Sequence, residues 1–418
     1  HTCNTSMNLV KARVAAKVLP AGAAAVTETS VAKRTGIFMS ARRFTRLLFL
    51  ASLVLSGNVL ASVLPDDRAD VLYHRYEGDG VLIEGPSVLV RKKVANNVSV
   101  VGNYYVDFVS SASIDVVTQA SPYEEERTQW SIGADYLRGN TVLRANYVTS
   151  EENDYDADTL AFSVSQDMFG QLTTLTLSYA YGDDVVRRVD DQFFERELKR
   201  QQYGVGITHV LTKNLIGAIN VQTTTEEGFL NNPYRSVRYV DPNVARGFSF
   251  EPELYPNTRT ANAVGVRARY FLPYRAAIEG EYRYFVDTWD IQGHTGALTY
   301  IHPWKDFIFE TKVRVHTQTG AHFYRDLFPR SEATNFRGRD KELSPLTSYT
   351  LRLKASYNII DENIGWGMIK KATVSGSFDF MHIQYDDFRD LTMEGPVGQE
   401  PLFELDASII QLFVSFWY

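Results

Sequence analysis

Long segments in which apolar and polar residues alternate recur along the chain, and this pattern most constrains the fold. In residues 263–272, Val264 and Val266 occupy one face of a strand, whereas Arg267 and Arg269 occupy the other. Alternation with a period of two residues indicates a β-strand. Soluble antiparallel sheets also alternate, but their strands usually have about five or six residues. A tilted strand that crosses a bilayer needs about 9–11 residues, which is the length of these segments.

The connections between the segments alternate between short turns and long polar loops. The short turns lie at 95–97, 138–140, 169–170, 212–214, 273–274 and 303–306. The long loops lie at 111–123, 183–197, 226–257, 318–345 and 385–404. Bacterial outer-membrane barrels have this arrangement, with short periplasmic turns and long extracellular loops.

The number of strands follows from the same pattern. Segments begin near residues 69, 81, 98, 124, 141, 157, 172, 199, 215, 259, 276, 290, 307, 347, 371 and 405. Fourteen strands is the nearest alternative to sixteen, because only Gly78-Asp79-Gly80 separates the first two segments. A closed sheet satisfies every backbone group in lipid without leaving an edge. The sequence therefore predicts an all-β fold, a transmembrane antiparallel up-and-down β-barrel of about sixteen strands.

The N-terminal region has the features of an export signal. Three arginines (Arg42, Arg43 and Arg46) precede an apolar stretch at 47–55, and Val59-Leu60-Ala61 resembles a cleavage site. The apolar stretch is too short to span a bilayer, although a buried or anchoring helix is an alternative. We expect residues 1–38 to be an upstream extension, 39–61 a signal peptide and 62–418 an outer-membrane barrel. This organisation predicts location in the bacterial outer membrane.

Composition excludes several classes of function. The single cysteine, Cys3, lies before the predicted barrel, so that barrel has no disulfide, zinc–thiolate site or cysteine nucleophile. The net charge of −7 argues against a nucleic-acid partner. No G-x-S-x-G motif and no histidine pair of metalloprotease spacing are present. We therefore expect neither an enzyme nor a protein that holds a cofactor.

Acidic residues at 151–158 form a candidate metal site. Asp154, Asp156 and Asp158 stand at alternate positions, and their carboxylates would converge on a cation such as Ca²⁺ if the chain looped there. The alternative is an exposed acidic loop that interacts at most with divalent ions bound to lipopolysaccharide.

Charged residues lie on the predicted inward faces of the later strands. The candidates for the lumen lining are Arg267, Arg269, Glu279, Glu281, Arg283, Glu310, Lys312, Arg314, Arg352 and Lys354. Both signs are present, and opposite charges on adjacent strands can pair in a water-filled lumen. The pattern fits a pore of modest ion selectivity, and it equally fits a lumen that ion pairs hold shut.

The longest loop, residues 228–259, is rich in aromatic residues and arginines. Long loops in compact proteins are usually functional or disordered, and the aromatic content argues against disorder. We hypothesise that this loop folds over the outer mouth or into the lumen and narrows the pore. A self-packed surface loop is the alternative.

The C-terminal strand has one continuous apolar face, which includes Leu412, Val414, Phe416 and Tyr418. This face predicts contact with hydrocarbon, with Tyr418 at the membrane interface. A last strand that ends on an aromatic residue is also similar to the β-signal that the barrel-assembly machinery recognises in outer-membrane proteins.

Several segments together resemble a family of Gram-negative outer-membrane proteins. The resemblance extends from Leu64 to Tyr418 and lies in PDDRADVLYHRY (65–76), NYYVDFVSSASIDVVTQASPYEEERTQW (103–130), EEGFLNNPYRSVRY (226–239), YPNTRTANAV (255–264), EYRYFVDTWDIQGHT (281–295), FYRDLFPR (323–330), RDKELS (339–344) and QLFVSFWY (411–418). The family is catalogued as a domain of unknown function, number three thousand five hundred and seventy. The resemblance implies an outer-membrane barrel and, through neighbouring genes, a link with envelope redox or metal chemistry. It supplies no catalytic or ligand residues.

Together these observations predict a channel or substrate-specific pore for small polar solutes. The first alternative is a closed scaffold barrel that binds periplasmic or lipoprotein partners in envelope redox or metal handling, and the second is an outer-membrane enzyme. In each case the expected partners include outer-membrane lipid, lipopolysaccharide and the barrel-assembly machinery.

Overall fold

The computed structural model describes residues 63–114, 123–360 and 366–418. The predicted extension and signal peptide, residues 1–61, lie outside the described residues. The strands are β1 (Arg68–Gly78), β2 (Val81–Ala95), β3 (Val98–Ser111), β4 (Tyr123–Arg138), β5 (Thr141–Glu152), β6 (Tyr155–Met168), β7 (Thr173–Arg187), β8 (Glu195–Thr212), β9 (Leu215–Gly228), β10 (Ser236–Val240), β11 (Phe248–Pro252), β12 (Thr258–Phe271), β13 (Ala277–Asp287), β14 (Gln292–Trp304), β15 (Phe307–Gln318), β16 (Leu346–Ile360), β17 (Lys371–Arg389) and β18 (Leu402–Trp417). A 3₁₀ helix spans Lys341–Leu343.

Sixteen of these strands form one closed antiparallel barrel, and β10 and β11 form a separate hairpin. The barrel closes between its first and last strands, where the pairing runs from Arg68 with Trp417 to Gly78 with Ala407. Every predicted strand start lies within four residues of an observed one. The prediction of sixteen strands is therefore confirmed, whereas the β10–β11 hairpin was not predicted.

The first two strands, whose separation decided between fourteen and sixteen strands, are joined by a two-residue turn. Asp79 and Gly80 connect β1 to β2 with φ values of 53° and 64°. Positive φ at both central residues is the geometry of the type I′ turn, which matches the twist of the two paired strands. A Cβ atom at position 80 would lie 2.5 Å from the Ala112 carbonyl oxygen, so a glycine is needed there. This turn explains how so short a connection separates two full strands.

The outer face of the barrel is an apolar belt. On β18, Ile410 and Leu412 are 40% and 52% exposed, whereas Ile409 and Gln411 face inward and are buried. The side chains of Val264 and Val266 on β12 also point outward. A continuous apolar surface of this size is unfavourable in water and matches the hydrocarbon-facing band of outer-membrane barrels. Among the described residues no helix is long and apolar enough to cross a membrane, an observation that concerns helices alone.

The two ends of the barrel differ. At one end, here called the short-turn end, exposed aromatic residues stand in or beside several turns, as Phe169, Tyr274, Trp304 and Trp366 do. Aromatic residues collect at membrane–water interfaces because their rings are apolar and their edges are polar. The other end, the long-loop end, carries the connections of β3–β4, β7–β8, β9–β12, β15–β16 and β17–β18.

Apolar packing inside the barrel lies toward the long-loop end. One cluster joins β1, β2, β16, β17 and β18 through side chains such as Tyr76, Leu346 and Phe403. A second cluster joins β8, β12 and β13 to loop residues that include Tyr255 and Phe323. The long loops are therefore packed into the fold and are continuous with the inner face of the barrel.

Candidate functional site

The ten predicted lumen residues lie on the face of the sheet opposite the apolar belt, which is the inner face. On the adjacent strands β12 and β13, Arg269 donates to Glu279 at 2.8 Å. Lys312 on β15 reaches across β14 and donates to Glu281 on β13 at 2.9 Å. Arg267 shares Glu279 at 4.0 Å. The contact between Arg269 and Glu279 follows from register, because the two residues stand directly opposite each other in the β12–β13 ladder.

Strand β16 contributes two further cations to the inner face. Arg352 donates its Nε to Asp379 Oδ1 at 2.6 Å, and this pair is buried. Lys354 stands directly opposite Glu310 in the β15–β16 ladder. Asp379 was not among the predicted lumen residues, although its place in the alternation of β17 would have identified it.

The inner face is also polar on the other side of the barrel. Asp135 on β4 binds Arg91 and, at 3.2 Å, Arg144. The His74 imidazole is 2.7 Å from Asp107, and Arg127 binds the same carboxylate at 2.7 Å. This group was not among the predicted lumen residues, because charged residues alternate most regularly on the strands after residue 260. Paired charges therefore line both sides of the interior.

Three long connections meet above the barrel and form what we call the loop layer, residues 229–257, 319–345 and 390–401. At its centre Arg238 is 0% exposed. Its guanidinium donates to Glu400 Oε1 at 2.7 Å and also binds Asp326. Arg339 binds Asp326 at 2.9 Å. Arg238, on β10, thus links the β9–β12 connection to the β15–β16 and β17–β18 connections.

The position of these connections around the ring shows that the loop layer crosses the mouth. The β9–β12 and β17–β18 connections are six strand positions apart in the sixteen-stranded ring. Strands about 4.8 Å apart and tilted by about 40° close into a barrel roughly 32 Å across, so these two points on the rim are about 30 Å apart. A direct contact between Arg238 and Glu400 therefore requires the loops to extend over the opening.

An acidic pair is buried in the loop layer beside an arginine. Glu253 accepts a hydrogen bond from the Arg339 backbone N–H at 2.7 Å and another from the Tyr255 hydroxyl at 2.7 Å. Asp340 binds Arg235 at 2.5 Å. Burial, together with the negative charge of Asp340, raises the pKa of Glu253 to about 7. The loop layer therefore contains a carboxyl group that changes charge near neutral pH.

Aromatic packing holds the same region to the barrel rim. The Tyr255, Trp289 and Phe323 rings contact one another, with centroids 5.1–5.7 Å apart. Trp289 belongs to the β13–β14 connection, and its indole N–H donates to the Thr258 carbonyl at 3.1 Å. Edge-to-face aromatic pairs each contribute about 0.5–1.5 kcal/mol beyond their buried area. This cluster anchors two of the three connections of the loop layer.

Polar contacts fix the loop layer to the opposite parts of the rim. Lys341 binds Asp79 in the β1–β2 turn. The Tyr234 hydroxyl accepts a hydrogen bond from the Val189 backbone N–H in the β7–β8 connection at 2.9 Å. The longest predicted loop therefore does fold over the mouth, and it does so with partners on several sides.

The candidate metal residues lie at the rim but do not cluster as predicted. Asp156 binds Arg187, and Asp158 accepts a hydrogen bond from Tyr147 at 2.6 Å. Asp154 lies instead with two acids that the prediction did not include. Glu125, Glu152 and Asp154 each offer a carboxylate oxygen within 4.8 Å of the others.

The four β-signal residues lie along the outer face of the closing strand. Leu412 is exposed, and Val414, Phe416 and Tyr418 are partly exposed. The Tyr418 hydroxyl donates to the Arg91 carbonyl at 3.0 Å, and Lys92 lies 4.8 Å from the centre of its ring. The last side chain is thereby tied to β2, two strands away from β18.

Several solved structures are similar in shape to the chain. A structure described as a bacterial polysaccharide outer membrane secretin aligns with a TM-score of 0.45 and 9% identity over 86% of this chain and 99% of that one. The siderophore receptor PirA from Pseudomonas aeruginosa aligns with a TM-score of 0.43 and 8% identity over 84% of this chain and 63% of that one. OprD from Pseudomonas aeruginosa aligns with a TM-score of 0.41 and 8% identity over 85% of this chain and 96% of that one. None of the curated proteins matches the chain.

A family model matches the sequence itself. The match covers residues 113–204 and 194–384, which is more than half of the chain and includes most of the loop layer. It confirms the family resemblance that the sequence segments indicated. The chain belongs to the family described as "Protein of unknown function (DUF3570)".

Proposed function

We propose that the protein is an outer-membrane barrel that passes small polar solutes through its interior under the control of the loop layer. The observation that carries this proposal is the polar inner face. Arg352 with Asp379, Lys312 with Glu281 and Arg91 with Asp135 are ion pairs on the walls of the interior. A barrel whose interior served only as a packed core would hold apolar side chains there, whereas a water-filled lumen tolerates paired charges.

The outer face supports a location in the outer membrane as part of this proposal. The apolar belt and the aromatic residues near the short turns suit a bilayer bounded by two interfaces. The short-turn end would then face the periplasm, and the loop layer would face the cell exterior. The expected partners are lipid and lipopolysaccharide around the belt and the barrel-assembly machinery at the closing strand.

The loop layer supports restricted passage in place of free diffusion. Arg238 and its two carboxylate partners are buried, so the centre of the layer is packed without bulk water. A layer of this kind favours either a narrow, selective opening or a barrel that opens after a change in the loops. A permanently closed barrel that serves as a scaffold for periplasmic or lipoprotein partners is the second candidate, and the same packing favours it.

Liposome swelling separates the two candidates. Purified protein is inserted into liposomes, and the swelling rate is measured with sugars and with small organic ions of increasing size. Size-dependent swelling above that of empty liposomes is the expected result. Heat-dependent gel mobility first establishes that the barrel is folded, and a folded barrel that gives no swelling with any solute contradicts the pore proposal.

A further inference from the structure

The inner wall formed by β12 to β15 contains more cations than anions. The cations are Arg259, Arg267, Arg269, Arg283, Lys312 and Arg314, and the acids on the same stretch are Glu279, Glu281, Asp287 and Glu310. We call the six basic residues the cationic wall. Excess charge of one sign on a low-dielectric wall concentrates ions of the opposite sign.

The two acids that precede Arg283 on the same face of β13 are already engaged by other cations. Glu281 accepts from Lys312 at 2.9 Å, and Glu279 accepts from Arg269 at 2.8 Å. Among the described residues, no carboxylate lies within ion-pair distance of Arg283, and its Nη1 is shielded from solvent and makes no hydrogen bond. An arginine donor that is shielded and unsatisfied is costly unless something binds it.

The surroundings of Arg283 are those of an anion site. The side chain is partly exposed to the interior. Gly265, its partner on β12, places no side chain opposite Arg283. Its partner on β14 is Thr295, whose hydroxyl is 2.9 Å from His316 Nδ1. Arg314 lies two residues from His316 on the same face of β15, and charge interactions link His316 to both arginines.

We propose that the Arg283 guanidinium, with Thr295, Arg314 and His316 around it, binds the oxyanion group of a small carboxylate or phosphate solute inside the barrel. The planar guanidinium presents two parallel N–H donors that match the oxygens of either group. The site lies below the loop layer, because Gln318 at the end of β15 donates to the Glu342 and Ser344 carbonyls, both at 2.9 Å. An anion that passes the loop layer would meet this site next.

This inference rests on the proposed function for the route by which a solute reaches Arg283. The binding test does not depend on passage, because detergent-solubilised full-length barrel is titrated by calorimetry in low-chloride buffer. Inorganic phosphate and succinate are the two probes. Saturable binding of at least one probe is expected, and the stronger of the two identifies the oxyanion class.

Arg283→Gln is the diagnostic variant, and Arg138→Gln at the exposed end of β4 is the matched control. Arg283→Gln should weaken binding by about tenfold or more, which is the size expected for loss of a charge-assisted hydrogen bond. Arg138→Gln should bind like the unmodified chain. Heat-dependent gel mobility shows that both variants are folded.

Absence of binding by the unmodified chain, or equal affinity in the folded Arg283→Gln variant, overturns the anion site. Binding that depends on Arg283 in a barrel that gives no liposome swelling leaves the site standing and contradicts the pore alone.

Discussion

The barrel wall and the loop layer are held together in different ways. The wall is stabilised by a closed circle of sixteen backbone ladders, in which each side chain contributes little. The loop layer has one short two-stranded hairpin, and it depends on buried charges such as Arg238 and on the packing of Tyr255. The difference indicates that single substitutions can open the mouth without unfolding the barrel.

Removal of residues 413–418 should produce the largest effect, because it breaks the wall itself. This truncation removes the pairs of β18 with β1 from Arg68–Trp417 to Leu72–Phe413, together with the matching pairs on β17. Unpaired backbone groups in lipid cost several kcal/mol each, so no folded barrel should form. Heat-dependent gel mobility provides the measurement. Tyr418→Phe, which keeps the ring, should still assemble, and a truncated chain that also assembles would refute this role of the closing strand.

Arg238→Ala should open the loop layer and leave the wall intact. The substitution leaves Asp326 and Glu400 buried without this counter-charge, and breaking a buried pair typically costs about 3–5 kcal/mol. We expect rapid proteolysis within the loop layer and unchanged heat-dependent mobility. Arg246→Ala is the control on the same connection, because Arg246 is exposed. Equal protease resistance in the two variants would show that Arg238 does not hold the layer.

The loop layer should loosen as pH rises toward neutrality. The pKa of Glu253 is raised from its usual 4.5 to about 7, so the folded layer binds the proton more tightly than the open one. Its stabilisation is therefore fully present below pH 4.5, declines as pH rises through about 7 and is constant above that. The measurement is the protease sensitivity of the layer from about pH 4 to about pH 8.5, a range that includes both pKa values of Glu253. Glu253→Gln should remove this pH-dependent part of the stability of the loop layer. An unchanged pH profile of protease sensitivity in that variant would assign the effect to another group.

Arg269→Gln should have the smallest effect. In this variant Glu279 retains Arg267 as an ion-pair partner at 4.0 Å, and the Arg269 side chain is partly exposed to the interior in the unmodified chain. We expect a loss of less than about 1 kcal/mol in the free energy of unfolding, measured with urea in detergent. A loss as large as that of Arg238→Ala would remove the contrast between wall and loop layer.

The wall could be predicted because its pattern is local. Neighbouring residues such as Val266 and Arg267 show which face meets lipid and which faces inward, so alternation and segment length located all sixteen strands. The two-residue turn at Asp79 and Gly80 was harder, because a turn so short gives a weak signal between two strands.

The loop layer could not be predicted in the same way, because its contacts join distant residues. Arg238 and Glu400 are 162 positions apart, and no local pattern relates them. The predicted grouping of Asp154 with Asp156 and Asp158 assumed a loop, whereas the acids that lie near Asp154 are Glu125 and Glu152. Asp156 and Asp158 lie in β6, where residues two apart are about 7 Å from each other and cannot converge as they would in a loop.

Single-channel conductance of the full chain and of a variant that lacks residues 230–255 tests the central claim most directly. The deletion removes β10, β11 and Arg238 but leaves the sixteen barrel strands complete. We predict low or intermittent conductance for the full chain in planar bilayers and a large, steady increase for the deletion variant. Equal conductance in two folded barrels, or none in either, would contradict a polar lumen controlled by the loop layer.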